Sequence, residues 1–358
     1  MSAMTFLSVR LACFTVWVSF FSMTVLANDL GTLREAASLS GDEWEALNKG
    51  EVLAKVLDTQ NKREVAIVGI AHLQASADCF VASFRDIENF KDSPDILKIE
   101  KLDKRLRPSD LKKFRLEVGD VAALNDCAAG DCDVKLPIRA MERLDTSVDW
   151  HGVNHASTVQ SIVREEMQAY LQAYIERGNV ALIEYHDKKK VVHLQEEFRE
   201  LLNGQPRVKD FAPDFQEYLA RYPDEKLPGV SEFFYWSLES FGLGPVTSIT
   251  HVSVYEQPGR AVIASKQLFA SHYFDSSLGL TVAINDPIDG SGPGMYLLYV
   301  NRSRIDLLGG FFGGLKRVLA GGRMRDGMRS RLAATVEKLE SACRVVSHPL
   351  SGTHIPGP

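Results

Sequence analysis

The chain has 358 residues, 45% of them hydrophobic and 25% charged, with a formal net charge of −6. That is ordinary globular composition and enough chain for a full core, so wholesale disorder is excluded and one large domain or two smaller ones are expected. The mildly acidic balance excludes a protein that binds nucleic acid by bulk electrostatics.

Residues Met1 to Ala27 carry one positive charge, Arg10, ahead of an apolar run from Leu11 to Leu26, and close on Val25-Leu26-Ala27. This is the layout of a secretory signal peptide with small residues at the processing site. An uncleaved anchor would need a longer run than this one, which contains Ser19 and Ser22. Cleavage after Ala27 leaves 331 residues starting at Asn28, with a net charge of −7, in the periplasm or outside the cell. No Cys follows the cleavage point, so a lipoprotein anchor is not expected. No second long apolar run follows, so no transmembrane helix is expected after cleavage.

Residues 28–39 read as a mobile start. Ser40-Gly41-Asp42-Glu43 has capping-box spacing and opens a short helix that stops at Gly50. Glu51 to Leu57 and Val65 to Leu73 read as a strand pair around a polar turn. Ser76 caps a helix with Phe80, Phe84, Ile87 and Phe90 on one face, and Ile96 to Leu102 reads as a strand. From 104 to 245 the pattern is mainly helical, with helices over Arg164–Arg177, Leu194–Leu202 and Phe211–Tyr222 and an inserted strand over Val180–Tyr185. Phe233-Phe234-Tyr235-Trp236, within that block, is too dense an aromatic cluster to leave in water. Strands return at Val246–Tyr255, Ala261–Ser271, Leu278–Asn285 and Met295–Val300, with a flexible Gly/Pro loop over 286–294. Leu307 to Ala342 reads as one long helix, weakened at Gly321-Gly322, and 343–358 as a flexible tail.

Of five cysteines, Cys13 leaves with the signal. Cys127 and Cys132 sit close enough to form a local disulfide in an oxidising compartment. Cys79 and Cys343 read as buried thiols, with pairing left open as the alternative. His151 and His155 have metal-ligand spacing, but Gly152 and the missing Glu of a zincin favour plain surface histidines, so no metal is expected. No esterase elbow, dinucleotide fingerprint or usable phosphate loop is present, and no cofactor is expected.

Three stretches carry a resemblance: Gly69-Ile70-Ala71-His72-Leu73-Gln74-Ala75-Ser76, then Phe84-Arg85-Asp86-Ile87-Glu88-Asn89-Phe90, then Ile96-Leu97-Lys98-Ile99. With the C-terminal strands and last helix, they resemble the START-like, helix-grip superfamily of lipid-binding proteins over 51–103 and 246–342, with 104–245 as a helical insertion. The whole chain also resembles a secreted bacterial family within or near that superfamily. The resemblance implies an α+β domain over 51–342, preceded by a short N-terminal segment over 28–50, in which a curved antiparallel sheet grips the C-terminal helix. It also implies a cavity between sheet and helix for a lipid or other apolar small molecule.

Lys266, Tyr273 and Arg302 belong to the densest polar set among the C-terminal strands, and an inward Lys or Arg there must be paired or meet a ligand's head group. Phe84, Tyr299, Gly310 and Gly313 complete the expected lining. The glycines of Gly309-Gly310-Phe311-Phe312-Gly313-Gly314 allow close backbone approach, to the sheet or to a ligand. An enzyme using the same cavity would take His272 and Asp275 as acid-base groups. A protein-interaction module would use Phe233 to Trp236. Lys316, Arg317, Arg323, Arg325, Arg329 and Arg331 give the last helix a basic face that suits a solvated surface or peripheral contact with anionic membrane.

Overall fold

The structure, a computed structural model, describes residues 29–107, 109–204, 208–240, 244–286, 294–308 and 313–344. The expected signal peptide, the loop over 287–293, Gly310 and the tail beyond 344 lie outside the described residues.

Among the described residues, ten strands and ten α-helices from Gly41 onward make an α+β fold around one large antiparallel sheet. Helical residues 29–36 lead into α1 (Gly41–Asn48), which carries the expected capping box. The strand pair is β1 (Leu53–Leu57) and β2 (Glu64–Leu73). The next helix starts on Ser76 as expected but breaks at Asp86, giving α2 (Ala77–Arg85) and α3 (Ile87–Phe90). Strand β3 (Ile96–Leu102) follows.

The helical block contributes α4 (Val118–Ala123), α5 (Ile138–Ser147), the long α6 (His155–Arg177), a small ribbon of β4 (Glu184–Tyr185) and β5 (Val192–His193), then α7 (Leu194–Gly204), α8 (Val208–Phe211) and α9 (Pro213–Ala220). Its C-terminal limit differs from the sequence reading. Val230–Ser240 is strand β6, paired with β3 on one side and β7 on the other. Phe233, Phe234, Tyr235 and Trp236 are all buried, alternately on the two faces of the sheet, so they offer no contact surface to a partner.

The remaining strands are β7 (Pro245–Gln257), β8 (Arg260–Ala270), β9 (Phe274–Asp286) and β10 (Gly294–Ile305), and α10 (Gly313–Arg344) ends the fold. The sheet order is β1-β2-β10-β9-β8-β7-β6-β3, every pair antiparallel, so the last strand closes against the second. Helix α10 runs unbroken through Gly321-Gly322. A Cβ at Gly321 would lie 3.4 Å from Val56, so the glycine lets the helix approach β1. The helix also approaches the sheet closely at Gly69, where a Cβ would meet Leu332 at 3.0 Å and Met328 at 3.1 Å.

Two disulfides are present. Cys127–Cys132 is the expected local bridge. Cys79 and Cys343 are not free thiols: they join α2 to the end of α10 across 264 residues, with Cα atoms 6.2 Å apart. Among the described residues no helix is long and apolar enough to cross a membrane.

Candidate functional site

The register sorts the sheet's side chains onto two faces, because directly paired residues point the same way. One row runs Ile67, Asn301, Gly279, Ser265, Val252, Phe233. It lies on the side of Gly69 and α10. The next row runs Ala66, Arg302, Leu278, Lys266, His251, Phe234, Leu102 and lies on the side of the helical block.

The face toward α10 changes character along the strands. At one end Ala71, Leu73, Leu297, Ala283, Ala261 and Ile263 pack with Phe80, Phe84 and Phe233 beneath α2 and with Leu332 and Leu339 of α10. Ring centroids of Phe84 lie 5.8 Å from Phe80 and 6.4 Å from Phe233. Further along the same strands the residues turn polar: Ser265 and Gln267 on β8, Ser277 on β9, Tyr299 and Asn301 on β10. These five stay only half-buried although they sit on central strands of an eight-stranded sheet.

Asn301 Nδ2 donates to Ser277 Oγ (3.2 Å) and to Tyr299 Oη (3.3 Å), Ser303 Oγ donates to Asn301 Oδ1 (2.7 Å), and the Ser277 and Ser303 hydroxyls lie 2.8 Å apart. Burial, joined by the nearby Tyr235, raises the Tyr299 pKa and keeps the phenol neutral. At the border of this patch Lys91 Nζ donates to Glu239 Oε1 at 2.6 Å, with Ser237 Oγ donating to the same oxygen at 2.7 Å. Burial opposes the Lys91 charge, but Glu239 outweighs it and raises the ammonium's pKa. Burial likewise opposes the Glu239 charge, and Lys91 and Ser237 hold its pKa low.

On the opposite face Lys266 is buried without a carboxylate at ion-pair distance among the described residues. Its Nζ donates to Asn179 Oδ1 at 2.5 Å and lies 4.2 Å from the Phe198 ring, 4.6 Å from Tyr174 and 5.5 Å from Tyr222. Burial lowers its pKa well below the ordinary lysine value, and the more distant Glu232 only partly opposes this. Its row neighbour His251 accepts or donates at Tyr174 Oη (3.0 Å) and has Glu232 at 3.3 Å; burial pushes the imidazole down to about 4.

Arg302 sits on this face too, bound to Glu64 and to the carbonyl of Gly204 at the end of α7. It belongs to an ion network that pins the block to the sheet. Arg304 bridges Glu64 (3.0 Å), Glu197 (3.0 Å) and Glu200 (2.9 Å), while buried Lys135 meets Asp275 (3.0 Å), Asp306 (3.1 Å) and Asp187 (3.2 Å). Burial opposes the Lys135 charge, but the three carboxylates raise its pKa to about 12.

The residues singled out in the sequence therefore do not converge. Phe84 and Tyr299 share the α10 face; Lys266 and Arg302 lie behind it. Tyr273 holds a left-handed turn (φ 61°) between β8 and β9. His272 and Asp275 form no acid-base pair: His272 Nε2 lies 2.6 Å from Asp120 Oδ1, and Asp275 is held by Lys135 and Arg63. Gly313 opens α10. Lys91 and Glu239 were missed, because their association with Tyr299 depends on three separate elements. Of the basic face, Arg325 pairs with Asp326 and Arg331 with Asp95, each at 2.8 Å. Among the described residues no group of His, Cys, Asp and Glu could hold a metal ion. The chain matches no protein-family model and no curated protein.

Proposed function

We propose that this is an exported protein of START-like, helix-grip type that binds an amphiphilic small molecule between the sheet and α10. The single observation that carries this reading is the half-buried polar patch of Ser265, Gln267, Ser277, Tyr299 and Asn301 in mid-sheet, continuous with an apolar floor. Helix α10 lies over β1 and β2, and polar side chains kept accessible beside it on the central strands, next to an apolar floor, fit the few placed polar groups of a largely apolar ligand site. The order of elements supports the same reading: a strand pair, two helices, a strand, further antiparallel strands and a terminal helix. Two disulfides suit an oxidising compartment.

Native mass spectrometry of the full chain purified from its own host tests the reading. The expected result is a co-purified small-molecule mass that organic extraction removes and an added lipid restores. Protein that carries nothing from its host and takes up no lipid on addition contradicts the reading.

A further inference from the structure

The protons of the mid-sheet patch can be counted one by one. Both Asn301 amide protons are committed, to Ser277 and Tyr299, and the Ser303 proton goes to Asn301 Oδ1. Ser303 has then spent its proton, so the 2.8 Å contact between the two hydroxyls is Ser277 donating to Ser303. Among the side chains of Ser277, Tyr299, Asn301 and Ser303 every proton is used except one. Tyr299 Oη accepts from Asn301, and its own O–H has no acceptor among the described residues. The hydroxyl end lies over Gly279, where a Cβ would stand 2.9 Å from Oη; the glycine makes the room that Tyr299 occupies.

The charges bordering the patch, Lys91 and Glu239, neutralise each other. A ligand carrying a charge into this space would either stay unpaired or break that pair, and either outcome is costly in a partly desolvated site. A neutral oxygen acceptor has no such cost and meets the unspent Tyr299 donor.

Resting on the reading proposed above, we infer that Tyr299 is the specificity-determining donor of the site and that its ligand is an uncharged amphiphile whose head-group oxygen, a hydroxyl, ester or ketone, accepts the Tyr299 proton. Gln267 and Ser265, half-buried on β8, the next strand but one, and without a side-chain hydrogen bond among the described residues, supply further polar contacts for such a head.

The test is calorimetric titration of the full chain with three twelve-carbon amphiphiles, each below its micelle-forming concentration: monolaurin (neutral), laurate (anionic) and dodecyltrimethylammonium (cationic). Monolaurin is expected to bind at least about tenfold more tightly than either ion. Tyr299→Phe keeps the ring and removes the hydroxyl, both the free donor and the acceptor of one Asn301 proton; it is expected to weaken monolaurin about tenfold, the worth of one buried hydrogen bond, and to lower Tm slightly while the protein stays folded. Laurate or the cation binding as tightly as monolaurin overturns this inference and leaves the binding site standing. Full monolaurin affinity in Tyr299→Phe does the same. Failure of all three to bind overturns the proposed function, and this inference with it.

Discussion

Replacing Lys266 by Met keeps the reach of the side chain and removes the amine. Two effects compete over its charge in the wild type. The three ring faces favour an ammonium by about 0.5–2 kcal/mol each, while taking an unpaired ion out of water costs several kcal/mol, and the second wins. The folded pKa therefore lies well below the unfolded value near 10.5. Between the two values the unfolded chain holds one more proton than the native one, so native stability rises with pH and is lost as pH falls, by about 1.4 kcal/mol per unit. Lys266→Met lacks this slope. It also leaves Asn179 Oδ1 without its donor, a constant cost of about 1–3 kcal/mol. In urea unfolding from about pH 10 down to about pH 8, the stability difference is expected to move steadily in favour of Lys266→Met as pH falls. A difference that stays constant over that range would show that Lys266 is charged in the native protein and refute the reasoning.

His251 is expected to make the protein acid-labile in a second window. Its folded pKa of about 4 lies below the unfolded value of 6.5, so stability is lost as pH falls from 6.5 to about 4, and His251→Gln should flatten that part of the urea-derived stability profile. The two disulfides should differ in worth. On the chain-entropy argument Cys343→Ser, which opens a closure spanning 264 residues, costs about 5 kcal/mol, whereas Cys132→Ser, opening one of 5, costs about 2 kcal/mol; equal losses in denaturant titration would contradict this. Gly178→Ala should lower Tm strongly, because Gly178 has φ 64° and an added Cβ would overlap the Tyr222 carbonyl; a variant as stable as the wild type argues against that packing.

A strand such as Leu278–Asn285 is legible in the sequence because its large apolar residues, Leu278, Leu280, Val282 and Ile284, keep a period of two. Strand β6 is not legible. Phe233 and Tyr235 pack under α2 while Phe234 and Trp236 pack under the helical block, so covering both faces erases the alternation. The candidate site shows the same limit. Tyr299 and Asn301 are two apart and share a face, which local reasoning can see. Whether Lys266 shares that face depends on the β8–β9–β10 register, which spans three strands. The partners of His272 and Asp275, namely Asp120 and Lys135, lie more than a hundred residues upstream, and Cys79 has no local cue to Cys343.

The spacing of the cysteines also sets an order of oxidation for a chain that emerges N-terminus first. Cys79 reaches the oxidant 264 residues before its partner and 48 residues before Cys127. The wrong bond, Cys79 with Cys127, is therefore available long before the right one. Cys132 follows Cys127 by only 5 residues, and closing so small a ring outpaces any longer closure. The local bridge thus retires both of Cys79's false partners early. Once the local bridge has closed, Cys343 is the partner left for Cys79 among residues 29–344, and the long bond that fastens the terminal helix over the sheet follows as α10 emerges.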